Sequence, residues 1–374
     1  MTSAEAPAPA PAGADRVAVI GTGLIGTSIG MAAARVGCRV TGWDADSAVL
    51  AEAAGRSDLT PSTTLEDAVR DADLVVVATP IGTVPALVAR CLAAAPHAVV
   101  TDVGSIKSQL LHEVEQAAVA SDLARYIPGH PMGGSERSGP AHASASILDG
   151  AVWVLTPGDG ADPAMTARLE AWVARIGARP VLMDASRHDR LVAFVSHLPQ
   201  VASPALMGLV ATEEADEPDI LLLAAGGFRD LTRLASSNPS LWSDILLANG
   251  AQIAAAIDLY VARLQGLRDE ILAGHGSAVE DTFAQAKDAR LRLAAKPQVR
   301  SGVAVLQVHV PDRPGALAQL TAALGEGGVN IEDLQIVHSP EGGRGTVHLT
   351  VAAGSAAAAA SVLSGNGFDP TRLA

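Results

Sequence analysis

The feature that most constrains this chain is a glycine-rich turn between an apolar run and a helical pattern. Val17–Ile20 is typical of a buried strand, and the motif Gly21-Thr-Gly-Leu-Ile-Gly26 follows it without a break. The acidic Asp44 comes later, close to the distance of about 20 residues that is typical of dinucleotide-binding units. In such units the glycines allow a tight turn, the approach of a pyrophosphate and close packing of the helix on the strand. The pattern predicts a βαβ unit for a dinucleotide, and a glycine-rich turn in a nucleotide-free α/β protein is the alternative.

The residues around this turn also predict which dinucleotide binds. We expect contacts from Gly21, Gly23, Leu24, Ile25, Gly26 and Asp44. The carboxylate of Asp44 would accept hydrogen bonds from the adenosine ribose hydroxyls and would repel a 2′-phosphate. Residues 45–48 contain no Arg or Lys that could bind such a phosphate. The cofactor NAD is therefore favoured over NADP.

Short apolar runs alternate with helical patterns over residues 15–185. The runs are Val17–Ile20, Arg39–Trp43, Leu74–Ala78, Ala98–Thr101, Val152–Leu155 and Val181–Met183. Apolar runs without alternating polarity suit strands that are buried on both faces of a parallel sheet. Most of the intervening segments are long enough for crossover helices. We predict a doubly wound α/β domain of the Rossmann type over these residues.

Several polar residues follow directly after two of these strands. Thr79 and Pro80 come after the third run, and Asp102 and Ser105 come after the fourth. Because ligands of doubly wound sheets bind beyond the carboxyl ends of the strands, we predict that Thr79, Pro80 and Asp102 contact the cofactor and that Ser105 lies near the nicotinamide ribose. Capping of the following helices by Thr83 and Ser105 is the structural alternative, and for Ser105 the two roles are compatible.

The pattern changes twice beyond residue 185. Residues 186–296 have helical periodicity and predict an all-α domain for substrate binding and dimerisation. Within it, Ala251–Val261 is apolar on more than one face, as in a helix buried against a partner subunit. Residues 300–374 have the order strand, helix, strand, strand, helix, with a possible last strand near Phe368. That order predicts a small ferredoxin-like domain.

Charge and cysteine content narrow the function classes. The chain has 26 Lys and Arg against 40 Asp and Glu, a formal net charge of −14, which argues against a broad surface for nucleic acid or anionic membrane. The two cysteines cannot form a disulfide framework or, alone, a metal site, so we expect no metal. No apolar run approaches the roughly 20 residues of a membrane span. Residues 1–14 lack the basic and apolar parts of a signal peptide, so we expect a cytoplasmic protein.

Three polar clusters point to chemistry beyond cofactor binding. They are Asp102-Val-Gly-Ser-Ile-Lys107, the loop Gly129-His-Pro-Met-Gly-Gly-Ser-Glu-Arg-Ser-Gly139, and the helical stretch from His188-Asp-Arg190 to Ser196-His-Leu-Pro-Gln200, followed by Gly226–Arg233 and its continuation to Trp242. Together with the glycine motif, and in this order over residues 16–293, they resemble the prephenate dehydrogenase family, which includes arogenate dehydrogenases. The later segments Val310–Leu317 and Gly328–Ile331 resemble an ACT domain, a module that binds amino acids.

The resemblance implies a reaction and a set of site residues. The reaction is the NAD-dependent oxidative decarboxylation of prephenate to 4-hydroxyphenylpyruvate in tyrosine biosynthesis. His130 is implied as the catalytic base, which suits the ordinary histidine pKa of about 6.5. Ser105 is implied to orient His130 or to bond the reacting hydroxyl. His197, Arg233 and Glu136 are implied as substrate-binding residues.

Other functions are compatible with parts of the pattern. An arogenate dehydrogenase, which converts arogenate to tyrosine, shares every motif above. A β-hydroxyacid-type dehydrogenase shares the domain plan, but it relies on a lysine in the helical domain, and residues 186–285 contain no lysine. A non-catalytic NAD sensor is the third alternative, and His130, Ser105 and Arg233 argue against it.

Single residues have structural alternatives as well. His197 could be a core histidine, and Arg233 could form a salt bridge with Asp230 or Asp244. Lys107 is expected to be solvated or to lie behind the residues that contact ligand. In the ACT-like segment, the resemblance implies a regulatory site for L-tyrosine formed by Asp312, Gly315, Ala316, Leu317, Asn330 and Ile331, with a simple turn or a dimer contact as the alternative.

Overall fold

The computed structural model describes residues 15–133, 138–294, 303–311, 313–337 and 344–373. Clustering of contacts divides the chain into two compact units. One comprises Met1–Leu209 with Arg233–Leu259, and the other comprises Val210–Thr232 with Tyr260–Ala374. The three points at which the chain passes from one unit to the other all fall inside the predicted helical domain. The predicted domain boundaries at residues 185 and 296 stay predictions.

A parallel five-stranded sheet begins the first unit. Its strands are β1 (Arg16–Ile20), β2 (Arg39–Trp43), β3 (Leu59–Pro61), β4 (Leu74–Val77) and β5 (Val99–Asp102), in the order β3-β2-β1-β4-β5. The connecting helices are α1 (Leu24–Arg35), α2 (Ser47–Arg56), α3 (Leu65–Val69) and α4 (Val84–Ala94), and α5 (Ser108–Ala117) follows β5. Residues of β1 alternate between two buried clusters, because both faces of the sheet are covered. The predicted Rossmann-type fold is confirmed.

The last predicted strands of this domain form a second, smaller sheet. Strands β6 (Gly129–Pro131), β7 (Val152–Leu155) and β8 (Arg179–Leu182) lie in this order, with β6 antiparallel to β7 and helix α6 (Pro163–Arg175) between β7 and β8. Only an isolated bridge between Val100 and Tyr126 connects β5 to the segment before β6. The sequence pattern missed β6, because it is a short segment of Gly, His and Pro.

The helical segments match the predicted ones in position but are more broken. They are α7 (Ala185–Val192), a π-helical turn (Ala193–His197), α8 (Leu198–Glu213), α9 (Gly226–Thr232), α10 (Pro239–Ala248), α11 (Gly250–Leu272) and α12 (Gly276–Ala294). Helices α10 and α11 meet at a bend of 93°. Asn249 lies at this break and is buried. Among the described residues, the helical stretch Ala185–Glu213 has the length and hydropathy of a membrane span. Core helices of other proteins can have the same length and hydropathy, so this is weak evidence for a span.

The C-terminal segment folds as a separate antiparallel sheet with two helices. Its elements are β9 (Val303–Pro311), α13 (Ala316–Glu326), β10 (Ile331–Val337), β11 (Arg344–Ala352), α14 (Ala356–Gly365) and β12 (Pro370–Leu373). The strand order β10-β11-β9-β12, antiparallel throughout, is that of a ferredoxin-like fold. The predicted βαββαβ order is therefore confirmed, including the last strand.

Candidate active site

The glycine motif forms a cradle for a dinucleotide at the end of β1. A Cβ on Gly26 would lie 1.9 Å from the carbonyl oxygen of Gly21, so the first turn of α1 packs directly on the preceding loop. Gly21 has φ +90°, which favours glycine, and its Cβ would lie 2.6 Å from the carbonyl oxygen of Ala78. A Cβ on Gly23 would meet nothing within 4 Å, so the space beside the helix N-terminus is open. The backbone amides there can bind a pyrophosphate, and the cradle fits the predicted cofactor.

Asp44 lies just after β2 with its carboxylate held by this same loop. The backbone N–H of Thr22 donates to Oδ2 of Asp44 at 2.7 Å, and the Thr22 hydroxyl donates to the same oxygen at 3.2 Å. The backbone N–H of Asp46 donates to Oδ1 at 3.0 Å. The carboxylate is therefore fixed beside the phosphate cradle, where the ribose would lie.

Thr79 and Pro80 lie after β4, as expected. The hydroxyl of Thr83 donates to Oγ1 of Thr79 at 2.9 Å and to the carbonyl oxygen of Pro80 at 2.7 Å. The expected capping roles are wrong: Thr83 precedes α4 but makes no capping hydrogen bond, and α5 starts after Lys107 and not at Ser105. The side chain of Thr83 instead stabilises the turn that presents Thr79.

A buried ion pair holds the loop after β5. Nζ of Lys107 pairs with Oδ1 of Asp102, and both side chains are fully buried. Oδ2 of Asp102 accepts the Tyr126 hydroxyl at 2.7 Å, and Oδ1 also accepts the backbone N–H of Gly104 at 2.7 Å. Both carboxylate oxygens of Asp102 therefore have hydrogen-bond partners within the protein, and they stabilise the loop after β5. The predicted contact of Asp102 with the cofactor stays a prediction. The expectation of a solvated Lys107 is wrong.

Lys107 also connects this loop to the strand that carries His130. Its Nζ donates to the carbonyl oxygen of Gly129 at 2.7 Å, one residue before His130. Burial lowers the pKa of Lys107, and the neighbouring Asp102 opposes that shift. Burial also raises the pKa of Tyr126 well above its ordinary value, so the phenol keeps its proton and donates it to Asp102. Ser105 lies half-buried in the loop that this network fixes.

His130 contacts a second histidine that the sequence-based site residues did not include. Nδ1 of His130 lies 2.8 Å from Nε2 of His188, and Nδ1 of His188 lies 2.8 Å from Oδ1 of Asp189. Asp189 accepts the backbone N–H of Lys107 and of Ser108, each at 2.8 Å. The carboxylate from α7 therefore caps the N-terminus of α5 and orients the histidine pair.

The environment of His130 keeps its imidazole neutral. Burial lowers the pKa of His130 well below its ordinary value, and the charges of His188, Lys107 and His197 lower it further. The negative charge of Asp189 opposes these effects. A neutral imidazole can accept a proton, so the site holds His130 in the form that a general base requires.

His197 lies in the π-helical turn between α7 and α8 and is only 1% exposed. The side-chain N–H₂ of Asn249 donates to the carbonyl oxygen of Asp189 at 2.9 Å and lies 3.2 Å from Nδ1 of His197. Trp242 packs edge-on against the His197 ring with 6.1 Å between centroids. Burial lowers the pKa of His197 to about 4. His197 is therefore also neutral near pH 7.

Of the other two predicted substrate residues, Arg233 is described by the structure and Glu136 is not. Arg233 begins the short helical turn Arg233–Ser236 and is exposed. Its guanidinium forms no ion pair with any residue that the structure describes, Asp230 and Asp244 included. Arg233 is therefore available for an anionic ligand. Glu136 lies outside the described residues.

The predicted regulatory residues lie around the start of α13 and of β10. Gly315 precedes α13 with φ +86°, a left-handed conformation that favours glycine, and Ala316 is buried while Leu317 is exposed. Asn330 and Ile331 lie at the start of β10. Asp312 lies outside the described residues. A ligand role for this group stays a prediction.

His188 and Asp189 stand in a polar cluster that the sequence singles out, but no site role was predicted for them, and Asn249 was not predicted at all. His188 and Asp189 stand side by side in a helical stretch already notable for His197, so the local density of polar groups was a usable signal. No such signal existed for Asn249, which lies 52 residues from His197. Among the described residues no group of three or more His, Cys, Asp or Glu is arranged to hold a metal ion.

Comparisons with known families and proteins agree with this geometry. The family described as "Prephenate dehydrogenase, nucleotide-binding domain" matches residues 29–182, "Prephenate dehydrogenase, dimerization domain" matches 184–285, and "ACT domain" matches 304–368. A prephenate dehydrogenase of Bacillus subtilis is 31% identical over 344 residues, which cover 90% of this chain and 92% of that protein.

Two solved structures are similar to most of the chain. Prephenate dehydrogenase from A. aeolicus, in complex with hydroxyphenyl propionate and NAD+, has a TM-score of 0.69 and 26% identity, covering 75% of this chain and 98% of that one. Synechocystis arogenate dehydrogenase has a TM-score of 0.64 and 28% identity, covering 74% and 98%.

Proposed function

The chain belongs to the prephenate dehydrogenase family, and from that premise we propose that it is an NAD-dependent oxidoreductase that converts prephenate to 4-hydroxyphenylpyruvate in tyrosine biosynthesis. The observation that carries the proposal is the half-buried His130, whose lowered pKa keeps its ring neutral, beside the loops that follow the parallel strands. A dehydrogenase of a ring alcohol needs a base of this kind beside the nicotinamide.

NAD, when bound, accepts the hydride that leaves the hydroxyl-bearing ring carbon. Gly21, Gly23 and Gly26 leave room for its pyrophosphate, and Asp44 lies where the adenosine ribose hydroxyls would be. His130 accepts the hydroxyl proton as the hydride departs. Ser105, held in the loop after β5, orients the hydroxyl or the His130 ring.

Loss of carbon dioxide makes the ring aromatic. The electron pair of the broken carbon–carbon bond enters the ring, and the oxygen recovers a proton from His130 as the phenol forms. The base is therefore regenerated within each turnover, and no net proton is taken up. The catalytic requirement is a histidine that accepts and returns one proton, and the lowered pKa of His130 means that its ring is unprotonated when substrate binds.

Substrate recognition falls to His197, Arg233 and Glu136. The exposed guanidinium of Arg233, which has no ion-pair partner among the described residues, can bind a carboxylate through two parallel hydrogen bonds. His197 accepts from Asn249 through Nδ1, so its neutral ring carries hydrogen on Nε2 and can donate to a ketone oxygen. A donor at this position suits the ketone of prephenate and not the ammonium group of arogenate. Glu136, which follows His130 in the sequence, is the third proposed substrate contact.

We propose a homodimer for the working enzyme, located in the cytoplasm as a biosynthetic enzyme of this family. Residues 184–285 match a dimerization domain. Apolar side chains in this region are left uncovered in the single chain: Leu222, Leu223, Leu247 and Leu272 are between 78% and 84% exposed. Exposed apolar surface of this kind is typical of protein–protein interfaces.

We also propose that the ACT domain binds L-tyrosine and inhibits the enzyme. The support is the match over residues 304–368 and the predicted residues around Gly315 and Asn330. Control by the product of a pathway is the simplest use of an amino-acid-binding module attached to a catalytic unit.

The direct test of the function is an assay of NADH formation with prephenate and with arogenate in parallel. We expect turnover with prephenate, and a His130→Asn variant whose kcat falls by roughly 10²–10⁴, the usual contribution of a general base. NAD affinity should be unchanged in this variant. Turnover of arogenate alone, or a His130→Asn variant of wild-type kcat, would overturn the assignment.

A further inference from the structure

A continuous chain of hydrogen bonds runs from His130 into the interior of the first unit. His130 Nδ1 and His188 Nε2 are 2.8 Å apart, and His188 Nδ1 and Asp189 Oδ1 are 2.8 Å apart. His188 is only 1% exposed and Asp189 only 5%. Water therefore has little access to either contact, and each group depends on its partner in the chain.

The donor and acceptor of each hydrogen bond in this chain follow from Asp189, the residue farthest from His130 in it. Asp189 accepts two backbone N–H groups, and the pKa of its carboxyl is lowered by hydrogen bonds from His188, Lys107 and Ser108 against the opposing effect of burial. The ionised carboxylate can only accept, so Nδ1 of His188 donates to it. With a single ring hydrogen, on Nδ1, His188 leaves Nε2 as an acceptor, and Nδ1 of His130 donates to it.

This leaves the lone pair of His130 on Nε2. Resting on the proposed function, we propose that His188 and Asp189 are positioning residues that hold His130 as the Nδ1–H tautomer, with Nε2 free to accept the substrate hydroxyl proton. Without them a neutral imidazole could place its hydrogen on either nitrogen. The tautomer with hydrogen on Nε2 has no basic atom at that position.

The same chain can share the proton that His130 receives. When Nε2 of His130 takes the hydroxyl proton, its Nδ1 proton can move to Nε2 of His188. The positive charge then lies on His188, next to the negative carboxylate of Asp189. The reverse movement returns one proton to the substrate oxygen as the phenol forms, so protons balance over the cycle.

The groups around His130 set its pKa, and the hydrogen-bonded chain should therefore affect how kcat/KM depends on pH. Four groups act on His130: His188, Lys107 and His197 lower its pKa, as burial does, and Asp189 raises it. Where His188 is the acceptor, its hydrogen bond also stabilises the protonated His130 ring, and removal of the His188 ring takes that acceptor away. The pKa of His130 should then fall, and the acid limb of kcat/KM, which reports the base in the free enzyme, should move to lower pH; a move to higher pH would mean that His188 acts as a positive charge and not as the acceptor.

Two substitutions of His188 separate orientation from proton sharing. His188→Gln places an amide oxygen near the position of Nε2, which can accept from His130 but cannot take up a proton. His188→Phe keeps a ring of similar size and removes the acceptor. We expect His188→Phe to lower kcat by roughly 10²-fold or more. We expect His188→Gln to retain most of the orientation, with a loss of roughly tenfold, and KM for NAD to change little in both.

The decisive measurement does not need turnover. Nitrogen-15 NMR of labelled imidazoles in the cofactor-free full chain reports which ring nitrogen of His130 carries hydrogen. The proposal expects Nδ1–H in wild type and in His188→Gln, and loss of that preference in His188→Phe. His97→Gln, which replaces an exposed histidine, is the matched control and should resemble wild type in every readout.

The outcomes distinguish this inference from the proposed function. If wild type oxidises prephenate and His130→Asn does not, the function stands whatever His188 does. If, in addition, both His188 variants keep kcat within about twofold and an unshifted acid limb, the positioning role is overturned. Hydrogen on Nε2 of His130 in wild type would overturn it as well. If His188→Phe does not fold, His188→Gln and the wild-type spectrum still decide.

Discussion

Asn249 donates its side-chain N–H to Nδ1 of His197, although the two residues are 52 positions apart, with Asn249 between α10 and α11 and His197 in the π-helical turn. The same amide donates to the carbonyl oxygen of Asp189 at 2.9 Å, so its orientation is fixed. His197 therefore presents Nε2–H, a donor. Asn249→Ala should weaken substrate binding and leave the chemistry intact, raising KM for prephenate by roughly tenfold, about 1.4 kcal/mol.

Steady-state kinetics with varied prephenate and saturating NAD measures this effect. Asn238→Ala is a matched control, because Asn238 caps α10 and should alter thermal stability without changing KM. An unchanged KM in Asn249→Ala, with full folding, would show that His197 does not donate to substrate.

Asp44 is expected to set the choice of cofactor. Its carboxylate is held by Thr22 and by the backbone of Asp46 at the position where a 2′-phosphate would meet it. Catalytic efficiency with NAD should exceed that with NADP by at least roughly tenfold, about 1.4 kcal/mol. Asp44→Ser should narrow this ratio, and Asp46→Ser, which removes a nearby carboxylate that caps α2, should not. Equal efficiencies of the wild type with the two cofactors would contradict the assignment.

Arg233 is expected to bind a substrate carboxylate. Its exposed guanidinium has no ion-pair partner among the residues described, so Arg233→Ala removes no visible structural contact of that kind. The lost charge-assisted hydrogen bonds correspond to about 1.5–3 kcal/mol, or roughly a 10- to 150-fold rise in KM for prephenate. Arg229→Ala is the control of equal charge. A variant that fails to fold, or one of unaltered KM, would favour a structural role.

The neutral histidines predict a loss of stability in acid. The pKa of His197 is about 4 in the folded chain, against an ordinary value of about 6.5 when unfolded. Below pH 6.5 the unfolded chain binds a proton that the folded chain does not, so stability falls as the pH decreases towards 4. His197 alone would contribute up to about 3 kcal/mol of this loss. His130, whose pKa is also lowered, acts in the same direction.

Thermal unfolding between pH 7 and pH 4.5 tests this expectation. The decrease of Tm with pH should be shallower in His197→Gln than in wild type and unaltered in His97→Gln. Parallel curves for all three proteins would mean that His197 titrates normally when folded.

Inhibition by L-tyrosine is expected to depend on the ACT domain. Asn330→Ala should weaken inhibition while kcat without tyrosine stays unchanged, because the predicted site is separate from the catalytic residues. The coupling between such sites is typically about 1–3 kcal/mol, a 5- to 150-fold change in apparent affinity. Asn366→Ala, which alters an exposed asparagine of the same domain, is the control.

Truncation after Lys296 provides the complementary experiment. Full tyrosine sensitivity in an active truncated enzyme would identify inhibition as competition at the active site. Loss of sensitivity with retained kcat would support the regulatory site. If the truncated chain aggregates, Asn330→Ala decides between the two.

The sequence by itself determined the fold class, and its motifs predicted the cofactor cradle and the base. The glycine motif and the continuous apolar runs are local patterns, and each corresponds to a strand or turn whose conformation depends on nearby residues. His130, Asp44 and Arg233 could be named because they stand inside or beside such motifs.

Only the tertiary structure decided how those residues are prepared for chemistry. The contacts of Asp189 with Ser108, of His130 with His188 and of Asn249 with His197 join residues that are 81, 58 and 52 positions apart. The burial of Lys107 likewise depends on the packing of β5, β6 and α7, which no local pattern specifies. Ring tautomers and pKa values are set by groups that meet only after the chain folds, because hydrogen bonding and desolvation act over a few ångströms of space and not along the sequence.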